Sequence, residues 1–204
     1  MWTWSLNWNE ITPQIVVGTC PMTADDLSRI ERETGASAVM SVQHDECLAY
    51  WGIRFAQLRR RATELGLTLI RCPIRDFDIP DMRRQLPRAI STLASLQNRG
   101  LRTYVHCTAG MGRSPLVVLG FLTLVEGLHP EAAIALILAG RPQAVPAWEA
   151  YHGCRHDLVS QHRQAIEARA YGLYRQGVTG SAEADWHRAE TEVLREALLG
   201  SVEA

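Results

Sequence analysis

Cys107 and Arg113 are the residues of this 204-residue chain whose types and spacing could do chemistry, with Gly110 and Gly112 between them and Ser114 directly after. A short glycine-containing loop that leads into a helix points successive backbone N–H groups into one concavity, and such a nest binds a phosphate-like anion. The two glycines let the backbone turn without a Cβ clash. Arg113 adds a planar fork that can bond two anion oxygens together. Thr108, Ala109, Gly110, Met111, Gly112 and Arg113 are therefore the candidate phosphate-binding set. The same positive surroundings act on Cys107. A free thiol has a pKa of about 8.5, and helix N-termini and nearby cations lower it; the thiolate is the nucleophile. One loop could thus bind a phosphate monoester, attack it and stabilise the transferring group. The Ser114 hydroxyl can bond the Cys107 sulfur and help it leave again, or it can be a plain helix cap. His106 reads as a hydrogen-bond partner of the loop, since a histidine in the strand is poorly placed as a general acid. A cysteine and an arginine at this spacing occur by chance; the apolar strand before, the apolar helix after, the glycines and the hydroxyl give the pattern its weight.

Expelling an alkoxide or phenoxide from phosphorus also needs a proton donor, best a carboxylic acid on a separate loop. The segment Arg75-Asp76-Phe77-Asp78-Ile79-Pro80-Asp81 follows a strand and offers Asp76, Asp78 and Asp81. It belongs on the same side of a parallel sheet as the Cys107 loop, because both follow C-terminal strand ends. Spacing does not choose among the three, and Asp81 is also placed to cap the next helix.

The elements that must position these groups alternate. Ile11–Gly18 reads as a short strand ending in a turn, and Thr23 begins a helix that stops near Gly35. Residues 36–42 form a buried strand, followed by a polar loop, a helix over 55–65 and a strand over 67–74. A helix over 81–98 contains Pro87, which kinks or splits it. A strand over 102–106 and apolar helices over 114–127 and 130–138 complete the pattern. It implies an α/β domain, a central mostly parallel sheet flanked by helices. Beyond Pro146 the polar stretches 148–177 and 181–199 read as surface helices that break at Gly177–Ser181. The expected division is a catalytic domain over 1–160 and a helical C-terminal extension over 161–204 that packs on it.

Composition sets outer limits. Hydrophobic residues are 47% and charged residues 21% of the chain, as in a globular protein, and the net charge is -1 with no lysine at all. That balance argues against nucleic acid as a partner. The first residues lack a basic and apolar leader, and the apolar stretch Pro115–Val125 is well short of the ~20 residues of a membrane span. Five scattered cysteines read as reduced thiols of a cytoplasmic protein. None has zinc-ligand spacing, so no metal and no cofactor are expected. A monomer is expected.

The pattern of His106-Cys107 through Ser114, with an acid about thirty residues upstream, resembles the dual-specificity branch of the protein tyrosine phosphatase superfamily. It is most similar to the plant-type glucan phosphatases. The resemblance runs from about Ile11 to about Leu158 and is carried by residues 15–20, Tyr50-Trp51-Gly52-Ile53, Arg71-Cys72-Pro73-Ile74-Arg75-Asp76-Phe77-Asp78 and the loop 107–113. It implies a tyrosine-phosphatase-like fold and Asp76 as general acid and base. It also implies that Phe77 lines the pocket mouth and that Tyr50 and Trp51 form an aromatic wall.

Two features suit a phosphorylated sugar polymer: the loop residues Thr108, Ala109 and Met111 are uncharged, and aromatic rings pack on sugar faces. Two others depart from the family. The chain is too short for an appended carbohydrate-binding module, and Arg141–Pro146 lacks an aromatic that some relatives carry. The expected function is a phosphatase working through a cysteinyl-phosphate on phosphoglucan. The alternatives are a phosphoprotein substrate carrying phosphotyrosine, phosphoserine or phosphothreonine, and a non-catalytic module that binds phosphorylated ligands.

Overall fold

The computed structural model describes residues 3–177 and 180–200. Among the described residues five strands, β1 (Trp8–Thr12), β2 (Ile15–Gly18), β3 (Ala38–Gln43), β4 (Thr68–Ile74) and β5 (Thr103–His106), form one sheet in the order β1-β2-β5-β3-β4. β1 is antiparallel to β2; the pairs β2–β5, β5–β3 and β3–β4 are parallel. This is the mostly parallel α/β sheet that the alternation implied.

Side chains alternate across the sheet, so each strand feeds two cores. Val16, Val39 and Tyr104 enter the smaller core with Leu27 and Ile30 of α1 (Ala24–Thr34) and Leu58 and Ala62 of α3 (Phe55–Glu64). Ile15, Val17, Met40 and Val105 enter the larger one. There they meet α4 (Ile79–Asn98), α5 (Arg113–Leu124) and α6 (Pro130–Gly140). Because β2, β5, β3 and β4 are parallel, Gly18, His106, Gln43 and Ile74 end along one edge, and every candidate site segment follows one of these ends.

The structure differs from the sequence reading in four places. Ile11–Gly18 is not one strand: β1 and β2 form a hairpin that turns at Pro13-Gln14. The polar loop after β3 contains a short helix, α2 (Asp45–Tyr50), whose first turn is capped by the His44 ring accepting from Glu46 N. Six residues are too few to show helical periodicity. α4 starts at Ile79, is capped by Asp78 and not by Asp81, and runs through Pro87 without a break. The proline costs about 3 kcal/mol, but Leu86, Ile90 and Leu93 are fully buried around it, at roughly 1.5–3 kcal/mol each.

The last difference is in the C-terminal region. It holds three helices, α7 (Trp148–Gln161), α8 (Arg163–Gln176) and α9 (Ala182–Gly200), with an extra break at His162. They are not merely superficial, since Tyr151, Cys154, Ile166, Val193 and Leu194 join the larger core. The expected break at Gly177–Ser181 includes Val178 and Thr179, and the N-terminal reading includes Met1 and Trp2; these lie outside the described residues. Among the described residues no helix is long and apolar enough to cross a membrane.

Candidate active site

The loop from Cys107 to Gly112 connects β5 to the first turn of α5, and each of its backbone carbonyls accepts a hydrogen bond. Neutral His106 donates Nδ1–H to Cys107 O at 3.0 Å. Cys20 N donates to Thr108 O (3.0 Å), Val145 N to Met111 O (2.7 Å) and Leu116 N to Gly112 O (3.0 Å). Arg141 donates to Ala109 O (2.9 Å) and Gly110 O (2.6 Å). A peptide whose carbonyl is fixed outward presents its N–H on the opposite side, which makes the anion nest. Gly110 is required here: its φ is +66°, and a Cβ would lie 2.4 Å from Gly18 O. Gly112 is different from the sequence reading. Its φ is -104° and the space around it is open, so the turn itself does not demand glycine at that position.

Cys107 is buried at the floor of the loop. Burial pushes its thiol pKa up, but the Arg113 guanidinium, the Ser114 hydroxyl and the Ser114 and Gly110 backbone N–H groups outweigh it and hold the thiol below its ordinary value. Ser114 Oγ donates to Cys107 Sγ at 3.4 Å. Ser114 is the second residue of α5 and not its cap, which is Gly112. Cys20 shows what burial does without that compensation: its thiol is pushed up to about 12 by desolvation first and by Cys107 second.

Arg113 is 1% exposed. Nη1 donates to Ile74 O (3.0 Å) and contacts Cys47 Sγ (3.3 Å), while Nη2 donates to Asp76 Oδ2 (2.7 Å) and Thr108 Oγ1 (3.2 Å). Its Nε is buried with no hydrogen-bond partner. Leaving such a donor unsatisfied costs about 1–3 kcal/mol, more for a charged group, and an oxyanion in the nest would satisfy it.

The three acid candidates separate by position. Asp78 caps α4 by accepting from Asp81 N at 2.9 Å. Asp81 is buried, accepts from Arg75 N (2.8 Å) and pairs with Arg84, so it braces the loop from below. Asp76 alone of the three lines the cleft. The aromatic candidates separate too. Tyr50 is 82% and Phe77 93% exposed, whereas Trp51 is half-buried against the smaller core, lines the same cleft and meets the Tyr50 ring edge-on at 5.4 Å. Phe77 has φ +56°, an uncommon and strained conformation for a bulky residue.

These groups share one cleft of about 620 Å³, lined among others by Glu46, Cys47, Tyr50, Phe77, Cys107, Met111, Arg113 and Val145. Three contributors escaped the sequence reading. Gln43 Nε2 donates to Thr108 Oγ1 at 3.1 Å from a strand end that reads as plain polar sequence. Cys47 sits on a helix too short to detect. Arg141 follows an apolar helix in a segment remarked only for lacking an aromatic, yet it is 1% exposed.

His106 carries a pH prediction. Burial pushes its imidazole down to about 4, with the Cys107 carbonyl opposing and Arg113 adding to the effect. The unfolded chain takes up that proton near pH 6.5. Stability from this group is therefore complete above about pH 6.5 and is lost as pH falls towards 4, by about 3 kcal/mol. Urea melts of the wild type and His106→Asn across pH 4–7 should show the steeper loss in the wild type. Equal slopes would place the titration elsewhere.

Comparisons with known proteins agree with this geometry. Residues 37–152 match the family described as "Dual specificity phosphatase, catalytic domain". The chain is 34% identical over 163 residues to phosphoglucan phosphatase DSP4 of Castanea sativa, covering 79% of this chain and 43% of that protein. It is 29% identical over 153 residues to laforin of Mus musculus, covering 68% and 45%. The chain thus spans less than half the length of these curated relatives. Among solved structures, Tk-PTP in its active form superposes with a TM-score of 0.59 at 23% identity, over 73% of this chain and 94% of that one. PTPMT1 gives 0.58 at 19%, over 72% and 90%. At these identities the structures speak for the fold.

Proposed function

Because the chain belongs to the dual-specificity phosphatase family, we propose that it hydrolyses phosphate monoesters through a cysteinyl-phosphate, with phosphoglucan as the substrate. The observation that carries the chemistry is one cleft holding the lowered Cys107 thiol, the Arg113 fork and the Asp76 carboxyl. The phosphate dianion binds the amides of residues 108–113 and the Arg113 Nε and Nη2 donors. Cys107 thiolate attacks phosphorus, the bond to the leaving oxygen breaks, and Asp76 gives that oxygen its proton. A water then loses a proton to the Asp76 carboxylate and attacks phosphorus. The P–S bond breaks, and Ser114 donates to the departing thiolate. The catalytic set is Cys107, Arg113, Asp76 and Ser114. The helical region over 161–204 serves as a packed extension of a catalytic domain over 1–160.

The substrate class rests on the cleft wall. Arg113 is the one Arg, Lys or His side chain among the lining residues, which suits a single phosphate on an otherwise neutral chain. Tyr50 and Phe77 stand out from the rim, and a strained residue held in solvent points to a purpose at that position. Phosphate on a glucan is named for DSP4 of Castanea sativa. The five free thiols suit a reducing compartment, so a cytoplasmic location belongs to the same proposal, although the DSP4 relative carries an amyloplastic label; a monomer is proposed with it.

The test is phosphate release measured side by side on an aryl phosphate, phosphoglucan, and phosphotyrosine and phosphoserine peptides. Turnover of the aryl phosphate with preference for phosphoglucan is expected. No turnover by the wild type would leave only a phospho-ligand binding module. Preference for the peptides would move the substrate to phosphoprotein. The combined replacement Tyr50→Ala with Phe77→Ala should raise KM for phosphoglucan about tenfold, since an aromatic contact contributes about 0.5–1.5 kcal/mol. It should leave aryl phosphate hydrolysis within about twofold. Loss of both activities would mean that the two rings hold the fold. Trp51 is left out of this test because it packs against the core.

A further inference from the structure

Arg141 stands outside every residue assigned above to the reaction. It projects from the end of α6, and its guanidinium is enclosed between the Cys107 loop and the β1–β2 hairpin. Nε donates to Gly110 O (2.6 Å) and Nη2 to Ala109 O (2.9 Å) on the loop side. On the other side Nη2 reaches Asn7 Oδ1 (3.0 Å), and Nη1 reaches Asn9 Oδ1 (2.9 Å) and Val17 O (3.4 Å). All five acceptors are neutral.

We propose that Arg141 is a positioning residue for the Cys107 loop: it turns the Ala109 and Gly110 carbonyls away from the cleft and leaves its own charge directed at the nest. This inference rests on the phosphatase reading of the loop and extends it to a group that never touches substrate.

Three observations support it. Two of the loop's six outward carbonyl ties come from this one side chain, and they fall on consecutive peptides at the tightest part of the turn. The neighbouring ties at Thr108 and Met111 come from backbone amides, which no side-chain change can remove. Second, the fit leaves no slack. A Cβ on Gly110 would lie 2.8 Å from Arg141 Nη2, so the guanidinium occupies the space into which the loop could otherwise relax. Third, a buried guanidinium is costly unless its charge is used. Burial works against the Arg141 cation, while a Cys107 thiolate works in its favour. Among the described residues no carboxylate is bonded to it, so its charge stays uncompensated against the Ala109 and Gly110 carbonyls of the loop that holds Cys107. A lysine could keep the charge but not the planar two-carbonyl geometry.

The experiment uses the full chain and two readouts that need no turnover: tungstate binding by calorimetry, and the pH dependence of Cys107 alkylation followed on the Cys107 peptide by mass spectrometry. Arg141→Met should weaken tungstate binding by about tenfold or more, shift Cys107 alkylation to higher pH, and lower kcat/KM by about 100-fold, the scale of a small misplacement of catalytic groups. A purely structural role would lower the melting temperature and leave both readouts of the folded protein unchanged, which overturns the proposal. If Arg141→Met does not fold, the double variant Asn7→Ala with Asn9→Ala decides in its place. It removes two outer anchors and keeps the cation, so tungstate affinity should fall by at least a few-fold; unchanged affinity overturns the proposal. Tungstate binding without turnover in the wild type would count against the phosphatase reading and leave this test intact.

Discussion

Cys107→Ser should abolish phosphate release, by about 10⁴-fold or more, while the variant still binds tungstate or phosphate as tightly as the wild type. The nest does two separable things. In the proposed mechanism its amides and Arg113 bind a dianion, and the same groups hold the Cys107 thiol below its ordinary pKa against the opposing effect of burial. A serine hydroxyl keeps the hydrogen bond with Ser114 but does not ionise at neutral pH, so the nucleophile is lost and the anion site remains. Binding can even tighten, because the anionic sulfur no longer repels the ligand. The comparison also tests which thiol reacts. Cys47 lines the same cleft and touches Arg113. Substantial turnover by Cys107→Ser would move the nucleophile to Cys47 and remove the mechanism given above. Loss of both turnover and binding would mean that the thiolate is needed to assemble the nest.

The second large effect concerns Asp76. Asp76→Asn should slow poor leaving groups, such as a sugar alkoxide, by about 10²- to 10⁴-fold and good ones, such as a nitrophenolate, far less. In the free protein the Asp76 carboxylate lies on the Arg113 fork at 2.7 Å. An arriving phosphate dianion claims that fork. Two anions then face one guanidinium, and Asp76 is the proposed donor of the proton that the leaving oxygen requires. Asparagine cannot supply it, and neither does it compete for Arg113, so product phosphate should bind several-fold more tightly. Single-turnover rates on a series of aryl phosphates read the first effect and calorimetry reads the second. An equal loss for good and poor leaving groups would assign Asp76 to a structural role. Asp78 and Asp81 are poor replacements, since one is occupied at the start of α4 and the other at Arg75 N and Arg84.

Much of the chemistry was legible in the chain because it is local. Cys107, the loop amides, Arg113 and Ser114 occupy eight consecutive positions. A strand before the loop and a helix after it dictate where those groups point. The α/β alternation was legible for the same reason, since the residues that face one core recur at a short period along each element. Reading failed at two short elements, where no period could appear, and at the bounds and continuity of the longer helices α4, α7 and α8, which packing decides. The β1–β2 hairpin and α2 are the short ones, and Cys47 went unnoticed with α2.

The sequence alone therefore determined the class of fold, and it already held the proposed nucleophile, the proposed anion nest and the segment with the candidate acids. Spacing left Asp76, Asp78 and Asp81 open and the family resemblance pointed to Asp76; the tertiary structure adds the physical reason, since Asp76 alone of the three lines the cleft. It also separated Tyr50 and Phe77, which stand in solvent, from Trp51, which leans on the core. And it brought Arg141, thirty-one residues beyond Gly110, into contact with the loop. The physical reason is common to all three. Which carboxylate meets Arg113, which ring stays exposed and which arginine is buried depend on how separate strand ends and helices pack along one sheet edge, and no spacing within the chain encodes that distance.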